Sequence, residues 1–352
     1  MIIDLVVGCR PNFVKAAAIV EAAKAFPDVV IRLIHTGQHH DVMSDPFFKQ
    51  LNLPKPAWSM ISQYLVGTAD RLGGMVSSLG AFWSGNPKPD WVIVVGDTDS
   101  TLAGAIAAKK SKLKVAHVEA GLRSGLVEMQ EEINRKMIDS VSDRLYTTSR
   151  GATENLTREG HMPWSIYFAG NVMVDTLMRH IHAAKKQYPR RTDGEYALLT
   201  LHRAENVDDR AAMNGIMEAI QVIAKDIPII FPKHPRGHVT VDIPGVTVVP
   251  PMGYYEFIAE MAHATYVLTD SGGVQEETTV LGTPCLTLRP NTERPETVHQ
   301  GSNNIGGTYA AGIIECAKRV RYQNFDIERF GKIPEKWDGQ AAQRIISDLV
   351  TA

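Results

Sequence analysis

A chain of 352 residues that is 44% hydrophobic and 22% charged has the composition of a soluble globular protein, and its length favours about two domains. The formal net charge of −2 provides no basic surface, so neither nucleic acid nor a membrane is predicted as a partner. No apolar run reaches the ~18 residues of a spanning helix, and the first residues lack the pattern of a signal peptide, so we expect a cytoplasmic protein. The three cysteines are far apart and odd in number, which fits reduced thiols.

The first half of the chain alternates short Val/Ile-rich segments with Ala-rich segments, a pattern typical of strands and helices in turn. Such alternation predicts a parallel, doubly wound α/β sheet. Between Pro54 and Pro89 the helical pattern is interrupted by Gly73, Gly74, Gly80 and Gly85, and we expect a mobile flap there. In chain order the predicted strands and helices of this half are 2–8, 13–25, 29–37, 91–97, 101–109, 115–121 and 131–143.

The same alternation restarts after Gly170 and predicts a second Rossmann-like unit. The predicted domains are therefore 1–169 and 170–337. Ligands of open α/β sheets bind beyond the carboxyl ends of the strands, so we expect a shared ligand in the cleft between two facing units. The predicted elements of the second half are 196–202, 211–225, 228–234, 246–250, 254–264 and 266–270.

The most informative segment, 269–277, joins a strand to a helix through two glycines. Ser271, Gly272 and Gly273 lie where backbone N–H groups and the positive end of the helix dipole favour an anion, which predicts a phosphate site. Glu277 lies more than a turn further along the helix, where a carboxylate can accept hydrogen bonds from a ribose diol. A Ser-capped helix with a solvated acidic face is an equally good interpretation of this segment alone.

Charged residues also follow the strands of the first half. Arg10 and Lys15 follow the first strand and are candidates for holding phosphate or sugar, although two cations on a solvated loop would look the same. Asp97 ends a strand and is a candidate for the site or for a helix cap. Glu119 stands in an otherwise apolar strand, where an unpaired carboxylate is costly, so a functional role is favoured.

Further candidates leave alternatives open. Glu131 and Arg135 open a helix and fit either the site or an exposed i,i+4 pair. His202 and His234 each end a strand, and two histidines at adjacent ends favour contact with a diphosphate over a structural role. Arg294 follows a strand and either binds phosphate or pairs with a neighbouring glutamate.

Taken together, these motifs resemble the non-hydrolysing UDP-N-acetylglucosamine 2-epimerase family, whose fold is the two-domain GT-B arrangement with the active site in the cleft. The resemblance runs over nearly the whole chain. A final helix at about 338–352 resembles one that in this fold packs back on the first domain. The segments that carry the resemblance are 8–11 with Lys15, 35–39, 95–98, 117–123, 131–135, 201–206, 269–277 and 292–296.

The resemblance implies inversion at C2 of a UDP-linked 2-acetamido sugar, by anti elimination of UDP to 2-acetamidoglucal and re-addition on the other face. It implies no redox cofactor and no metal, and it implies a homodimer. By matching position, the acid/base group comprises Asp97, Glu119, Glu131 and His202. The substrate contacts implied in the same way are Arg10, Lys15, Arg135, His234, Met252, Phe257, Ser271, Gly272, Gly273, Glu277 and Arg294.

Some positions extend or depart from the family pattern. Gln38 and His234 match positions that contact an activating second UDP-sugar in some bacterial members. Gln130 stands where the family usually has proline, and Met252 where it often has glutamine. Alternatives are a hydrolysing epimerase that releases N-acetylmannosamine and UDP, an epimerase of a UDP-diacetamido uronic acid, a GT-B glycosyltransferase, and a non-catalytic UDP-sugar sensor. The three carboxylates argue against the last two.

Overall fold

Two parallel sheets with surrounding helices form the structure, a computed structural model that describes residues 1–38, 44–60, 67–233, 241–322 and 332–352. The chain divides into two compact units. Unit 1 comprises Met1–Thr176 and Glu335–Ala352, and unit 2 comprises Leu177–Pro334.

The sheet of unit 1 has the strand order β3-β2-β1-β4-β5-β6-β7, with all described pairs parallel. The order reverses between β1 and β4, which is where open sheets of this kind bind ligands. The strands are β1 (Ile2–Val7), β2 (Val30–His35), β3 (Trp58–Ser59), β4 (Trp91–Val95), β5 (Val115–Ala120), β6 (Arg144–Thr147) and β7 (Ile166–Phe168). The helices that begin in this unit are α1 (Arg10–Ala23), α2 (Ser44–Gln50), α3 (Thr68–Gly85), α4 (Asp99–Lys110), α5 (Gln130–Val141), α6 (Arg150–Arg158) and α7 (Val172–Gln187).

Strands β4 and β5 are buried along their whole length, as expected for central strands covered by helices on both faces. One polar group in this core is Asp4 of β1, which accepts from Arg32 Nε at 2.6 Å and from Trp83 Nε1 at 2.8 Å. Each of these bonds satisfies a buried polar atom. The core of unit 1 therefore keeps this buried carboxylate hydrogen-bonded.

The expected flap in 54–89 is wrong for residues 68–85, which form the continuous helix α3. Met75, Leu79 and Trp83 recur at i, i+4 and i+8, so one apolar stripe is buried against the core. The gain from burying this stripe outweighs the modest helix-weakening effect of the glycines. At Gly73, Gly80 and Gly85, an added Cβ would meet nothing within 4 Å.

Unit 2 repeats the arrangement with the strand order β10-β9-β8-β11-β12-β13, so its order reverses between β8 and β11. Its strands are β8 (Ala197–Thr200), β9 (Ile229–Pro232), β10 (Val246–Val249), β11 (Tyr266–Thr269), β12 (Cys285–Thr287) and β13 (Asn303–Ile305). Its helices are α8 (Ala204–Val207), α9 (Arg210–Ile223), α10 (Tyr254–His263), α11 (Gly272–Leu281), α12 (Pro295–His299) and α13 (Ala310–Tyr322).

The chain ends in α14 (Ala341–Thr351), which belongs to unit 1. Asp348 of α14 accepts from Arg144 Nε and from the Tyr146 hydroxyl, each at 2.7 Å, so β6 anchors this helix. The first turn of α14 donates its backbone N–H groups at Ala341 and Ala342 to the buried Asp175 carboxylate. A side chain far away in sequence therefore caps the last helix. Among the helices of the described ranges, none has the length and apolar composition needed to cross a bilayer.

The open space beside Gly80 predicts that Gly80→Ala stabilises the protein. Alanine loses less backbone entropy in a helix, so we expect a gain of about 0.5–1 kcal/mol and a melting temperature higher by about 1–3 °C. Gly104→Ala in α4 is the matched control, because its Cβ would lie 3.0 Å from Val6 and 3.1 Å from Val94. Gly104→Ala should lower the melting temperature, and a Gly80→Ala protein that melts no higher than the wild type would contradict the prediction.

Candidate active site

In unit 1 the strand order reverses between β1 and β4, and hydrogen bonds link the carboxyl ends of these two strands. Asn12 of α1 accepts from the Gly8 backbone N–H at 3.1 Å and donates to the Val95 carbonyl at 3.0 Å. One amide side chain thereby fixes the turns that precede Arg10 and Asp97. The described candidates of the first domain belong to the loops and helices that follow these strands, except Glu119, which lies near the end of β5.

Glu119 lies in an irregular part of β5 and has a backbone φ of +75°, a left-handed value that is rare outside glycine. The pairing of β5 with β6 shifts register between Val118 and Ala120, as at a β-bulge, so Glu119 is the extra residue there. Its carboxylate forms a buried ion pair with the Lys15 ammonium. Strained backbone of this kind clusters at functional sites, which supports a role for Glu119.

Gly96 makes room for that ion pair. It has a φ of +73°, and a Cβ at this position would lie 2.6 Å from Lys15 Nζ. A side chain here would displace the ammonium from its place beside Glu119. The glycine between β4 and Asp97 therefore provides both the turn and the space for the lysine.

Asp97 is held by the start of α5. Arg135 Nε donates to its carboxylate at 3.0 Å, and Asn134 Nδ2 donates to its backbone carbonyl at 2.9 Å. Arg135 is itself buried and also donates to Glu132 at 2.5 Å. Arg135 is thus buried beside a candidate carboxylate, and is not part of an exposed surface pair.

The remaining candidates of unit 1 are Glu131, Arg10 and Gln38. Glu131 is half-buried in the first turn of α5. Arg10 is the first residue of α1, and its guanidinium lies 4.9 Å from the centre of the Phe47 ring. Gln38 accepts at Oε1 from the backbone N–H of Ser100 at 3.0 Å, so its side chain helps to hold the start of α4.

In unit 2 His202 and Asp270 meet at the reversal between β8 and β11. The two side chains are 2.9 Å apart, from Nδ1 to Oδ1, and the Asp270 carboxylate also accepts from the backbone N–H groups of His202 and Arg203. Burial would raise the pKa of Asp270, but the adjacent His202 and these N–H donors hold it below its ordinary value. With Nδ1 engaged by an anion, His202 Nε2 is the ring atom suited to a ligand.

The turn 271–273 opens α11, with Ser271 at the N-cap position. A Cβ on Gly272 would lie 2.3 Å from Arg294 Nη1, so the glycine lets this guanidinium approach the helix terminus. Arg294 is buried and oriented by Glu276, whose carboxylate accepts from Nε at 2.7 Å. A helix N-terminus and an adjacent guanidinium both favour an anion, which is what a phosphate site requires.

Glu277 lies one turn further along α11 and accepts from the Tyr254 hydroxyl at 3.0 Å. Burial raises the pKa of Glu277 to about 8, although the Tyr254 hydrogen bond lowers it, and neighbouring Glu276 raises it further. Tyr254 opens α10, which also carries the half-buried Phe257, and Met252 is buried just before that helix. The Tyr254–Glu277 bond thus joins α10, which carries Phe257, to α11, which carries the predicted ribose residue.

Sequence reasoning missed several partners of these groups. Asp270 and Tyr254 bond to the candidates His202 and Glu277, and Asn12 fixes the turns before Arg10 and Asp97. The weak signal for Asp270 was its place directly after a strand. His234 lies outside the described residues, and its two predicted roles stay predictions. Among the described residues, no group of three or more His, Cys, Asp or Glu side chains is arranged to hold a metal ion.

A family model described as UDP-N-acetylglucosamine 2-epimerase matches residues 21–350. The chain belongs to this epimerase family. It is 38% identical over 339 residues to the UDP-N-acetylglucosamine 2-epimerase of Methanocaldococcus jannaschii, with 90% of this chain and 92% of the relative covered. It is also 39% identical over 321 residues to a UDP-2,3-diacetamido-2,3-dideoxy-D-glucuronate 2-epimerase of Pseudomonas aeruginosa, covering 89% of this chain and 90% of the relative.

The crystal structure of the M. jannaschii UDP-GlcNAc 2-epimerase in complex with UDP-GlcNAc and UDP is similar to this chain over its full length. The TM-score is 0.90 at 34% identity, with 100% of both chains covered. The predicted GT-B fold class and the predicted family are thereby confirmed. The protein is an epimerase by family, and the roles of its individual residues stay predictions.

The buried Glu277 carboxyl predicts a pH-dependent stability. Its folded pKa of about 8 exceeds the unfolded value, so the folded state holds a proton that the unfolded state has lost, and stability falls as pH rises toward 8. Glu277→Gln removes this titration. From pH 6 to pH 8 the variant should therefore gain about 2 kcal/mol in unfolding free energy relative to the wild type.

Chemical denaturation at both pH values measures this difference. Glu218→Gln is the matched control, since Glu218 is exposed on α9 and its replacement should leave the pH dependence unchanged. A Glu277→Gln protein with the same pH dependence as the wild type would show that the carboxyl is already ionised at pH 6.

Proposed function

We propose that this epimerase interconverts UDP-N-acetylglucosamine and UDP-N-acetylmannosamine without hydrolysis. The observation that carries the proposal is Glu119, a buried carboxylate in a left-handed backbone conformation and paired with Lys15. Inversion at C2 needs a base that can remove a weakly acidic proton, and a carboxylate fixed among apolar strands suits that role. The name of the Methanocaldococcus jannaschii relative supports this substrate.

In the proposed reaction a carboxylate removes the C2 proton while the bond from C1 to the UDP oxygen breaks, which gives 2-acetamidoglucal and UDP. UDP then adds back at C1, and a proton is delivered to the opposite face of C2. Asp97, Glu119 and Glu131 are the proposed acid/base groups. Lys15, Arg10 and Arg135 are the proposed cations that hold the substrate and orient the carboxylates, as the Arg135 contact with Asp97 illustrates.

The leaving diphosphate is the proposed ligand of unit 2. Ser271, Gly272 and Gly273 offer backbone N–H groups at the start of α11, and Arg294 is held beside them. We propose that His202 donates a proton or hydrogen bond to the departing UDP, because Asp270 engages its Nδ1 and thereby orients the imidazole ring. Glu277 is proposed to bind the ribose, with Phe257 and Met252 near the uracil.

A second candidate substrate is a UDP-2,3-diacetamido-2,3-dideoxy uronic acid. The 39% identity to the Pseudomonas aeruginosa enzyme of that name is as high as the identity to the UDP-N-acetylglucosamine enzyme of M. jannaschii. Both sugars have the same C1–C2 arrangement and the same UDP, so the proposed groups would act on either. We further propose that the enzyme is a cytoplasmic homodimer.

Proton NMR in D2O tests the reaction directly. UDP-N-acetylglucosamine incubated with the protein should yield UDP-N-acetylmannosamine that carries deuterium at C2. Free N-acetylmannosamine and UDP would instead indicate the hydrolysing reaction. Exchange only with the diacetamido uronic acid would transfer the proposal to that substrate, and binding of UDP without any exchange would favour a sensor.

Replacing Glu119 by glutamine separates chemistry from binding. Glu119→Gln keeps the size of the side chain and removes the base, so kcat should fall by about 100-fold or more. Affinity for UDP, measured by calorimetry, should change little because the proposed UDP ligands lie in unit 2. Glu128→Gln, on an exposed loop, is the control and should retain the wild-type kcat. Near-normal turnover by Glu119→Gln would remove Glu119 from the mechanism.

A further inference from the structure

A single buried carboxylate holds the bulge of Glu119 from both sides. Asp139 of α5 lies 2.7 Å from His117, between Oδ1 and Nδ1, and its Oδ2 accepts from the Gly121 backbone N–H at 3.2 Å. His117 is two residues before Glu119 and Gly121 is two residues after it. The two oxygens of Asp139 therefore contact the chain on both sides of Glu119, the residue with the left-handed backbone. We call these two contacts the Asp139 bracket.

The same histidine also reaches the neighbouring strand. His117 Nε2 lies 2.9 Å from the Gly96 carbonyl oxygen, which precedes Asp97 directly. A carbonyl oxygen only accepts, so Nε2 is the donor in this contact. One imidazole, which is 0% exposed, thus connects the strand end of Glu119 with that of Asp97.

Neighbouring side chains stabilise the negative charge of Asp139 in its buried position. Burial would raise the pKa of Asp139, but His117 and Arg123 hold it below its ordinary value. Arg123 Nη2 is 2.7 Å from Oδ2, and the same guanidinium pairs with Glu159. An ionised carboxylate has two acceptor oxygens, so one can face His117 while the other accepts from the Gly121 N–H.

We infer that Asp139 and His117 are positioning residues, which fix Glu119 in its left-handed conformation and set it against Asp97. A non-glycine residue stays in such a conformation only where its surroundings determine it strongly, and the Asp139 bracket supplies that restraint. The inference rests on the proposed function, because that function assigns the chemistry to Glu119 and Asp97. Neither Asp139 nor His117 needs to touch the substrate.

Asp139→Asn tests the bracket. The amide offers one oxygen and one NH2 group, so it no longer accepts from both His117 and Gly121. We expect kcat for epimerisation to fall by about 10- to 100-fold, as for a small displacement of a reacting group, with the Kd of UDP unchanged within about two-fold. Glu159→Gln is the matched control, because it removes the other carboxylate on Arg123 and leaves the bracket intact; its kcat should equal that of the wild type.

A second pair of variants tests His117 independently of whether Asp139→Asn folds. His117→Ala removes both contacts, whereas His117→Asn places an amide nitrogen near the position of Nδ1 and keeps a donor for Asp139. We expect His117→Asn to recover at least about ten-fold in kcat over His117→Ala. Equal kcat in the two variants would overturn the inference, as would wild-type kcat in Asp139→Asn or a loss that parallels the loss of UDP affinity.

C2 deuterium exchange by the wild-type protein distinguishes a failure of this inference from a failure of the proposed function. Absence of C2 deuterium exchange by the wild type would overturn the proposed function. Exchange by the wild type together with an unchanged Asp139→Asn variant would overturn only the positioning role.

Discussion

The rest of the site depends on one constraint, which is that ionised carboxylates are buried where the strands of the two parallel sheets end. An ionised group without water is costly unless cations or N–H donors surround it. Glu119 has Lys15, Asp139 has His117 and Arg123, and Asp270 has His202 with two backbone N–H groups. Each buried carboxylate thereby fixes the position of a cationic side chain or an N–H donor, and these pairings constrain the loops at the ends of the strands.

The two units meet this constraint in a similar way. In each, the strand order reverses once, and a polar side chain links the chain ends on either side of the reversal. Asn12 links the ends of β1 and β4, and Asp270 links the ends of β8 and β11. Helix N-termini with unpaired N–H groups follow the carboxyl ends of parallel strands, so the same topology can carry the proposed anion site in one unit and the oriented carboxylates in the other.

Local pattern predicted much of the fold and named most of the candidate groups. Alternating apolar strands and Ala-rich helices predicted the two parallel sheets. Polar residues at strand ends marked Asp97, His202 and the turn 271–273, and a carboxylate inside an apolar strand marked Glu119. The failures have a physical cause. The burial of Trp83 against the core keeps α3 helical despite its glycines, and Asp139, 22 residues from His117, reaches it only through folding. A sequence window records spacing along the chain, whereas these contacts depend on tertiary packing.

The arrangement also limits where the choice between sugars can be made. The proposed groups of unit 2 recognise a nucleoside diphosphate, which both candidate substrates share. Glu119, Asp97 and Lys15 would act at C1 and C2, which are again common to both. Discrimination at C3 and at the uronic carboxylate must then come from side chains outside these motifs, and the family's chemistry stays unchanged while its substrate varies. Under the proposed function, the strained Glu119 serves the shared reaction, and the selectivity between the two sugars comes from the residues around it.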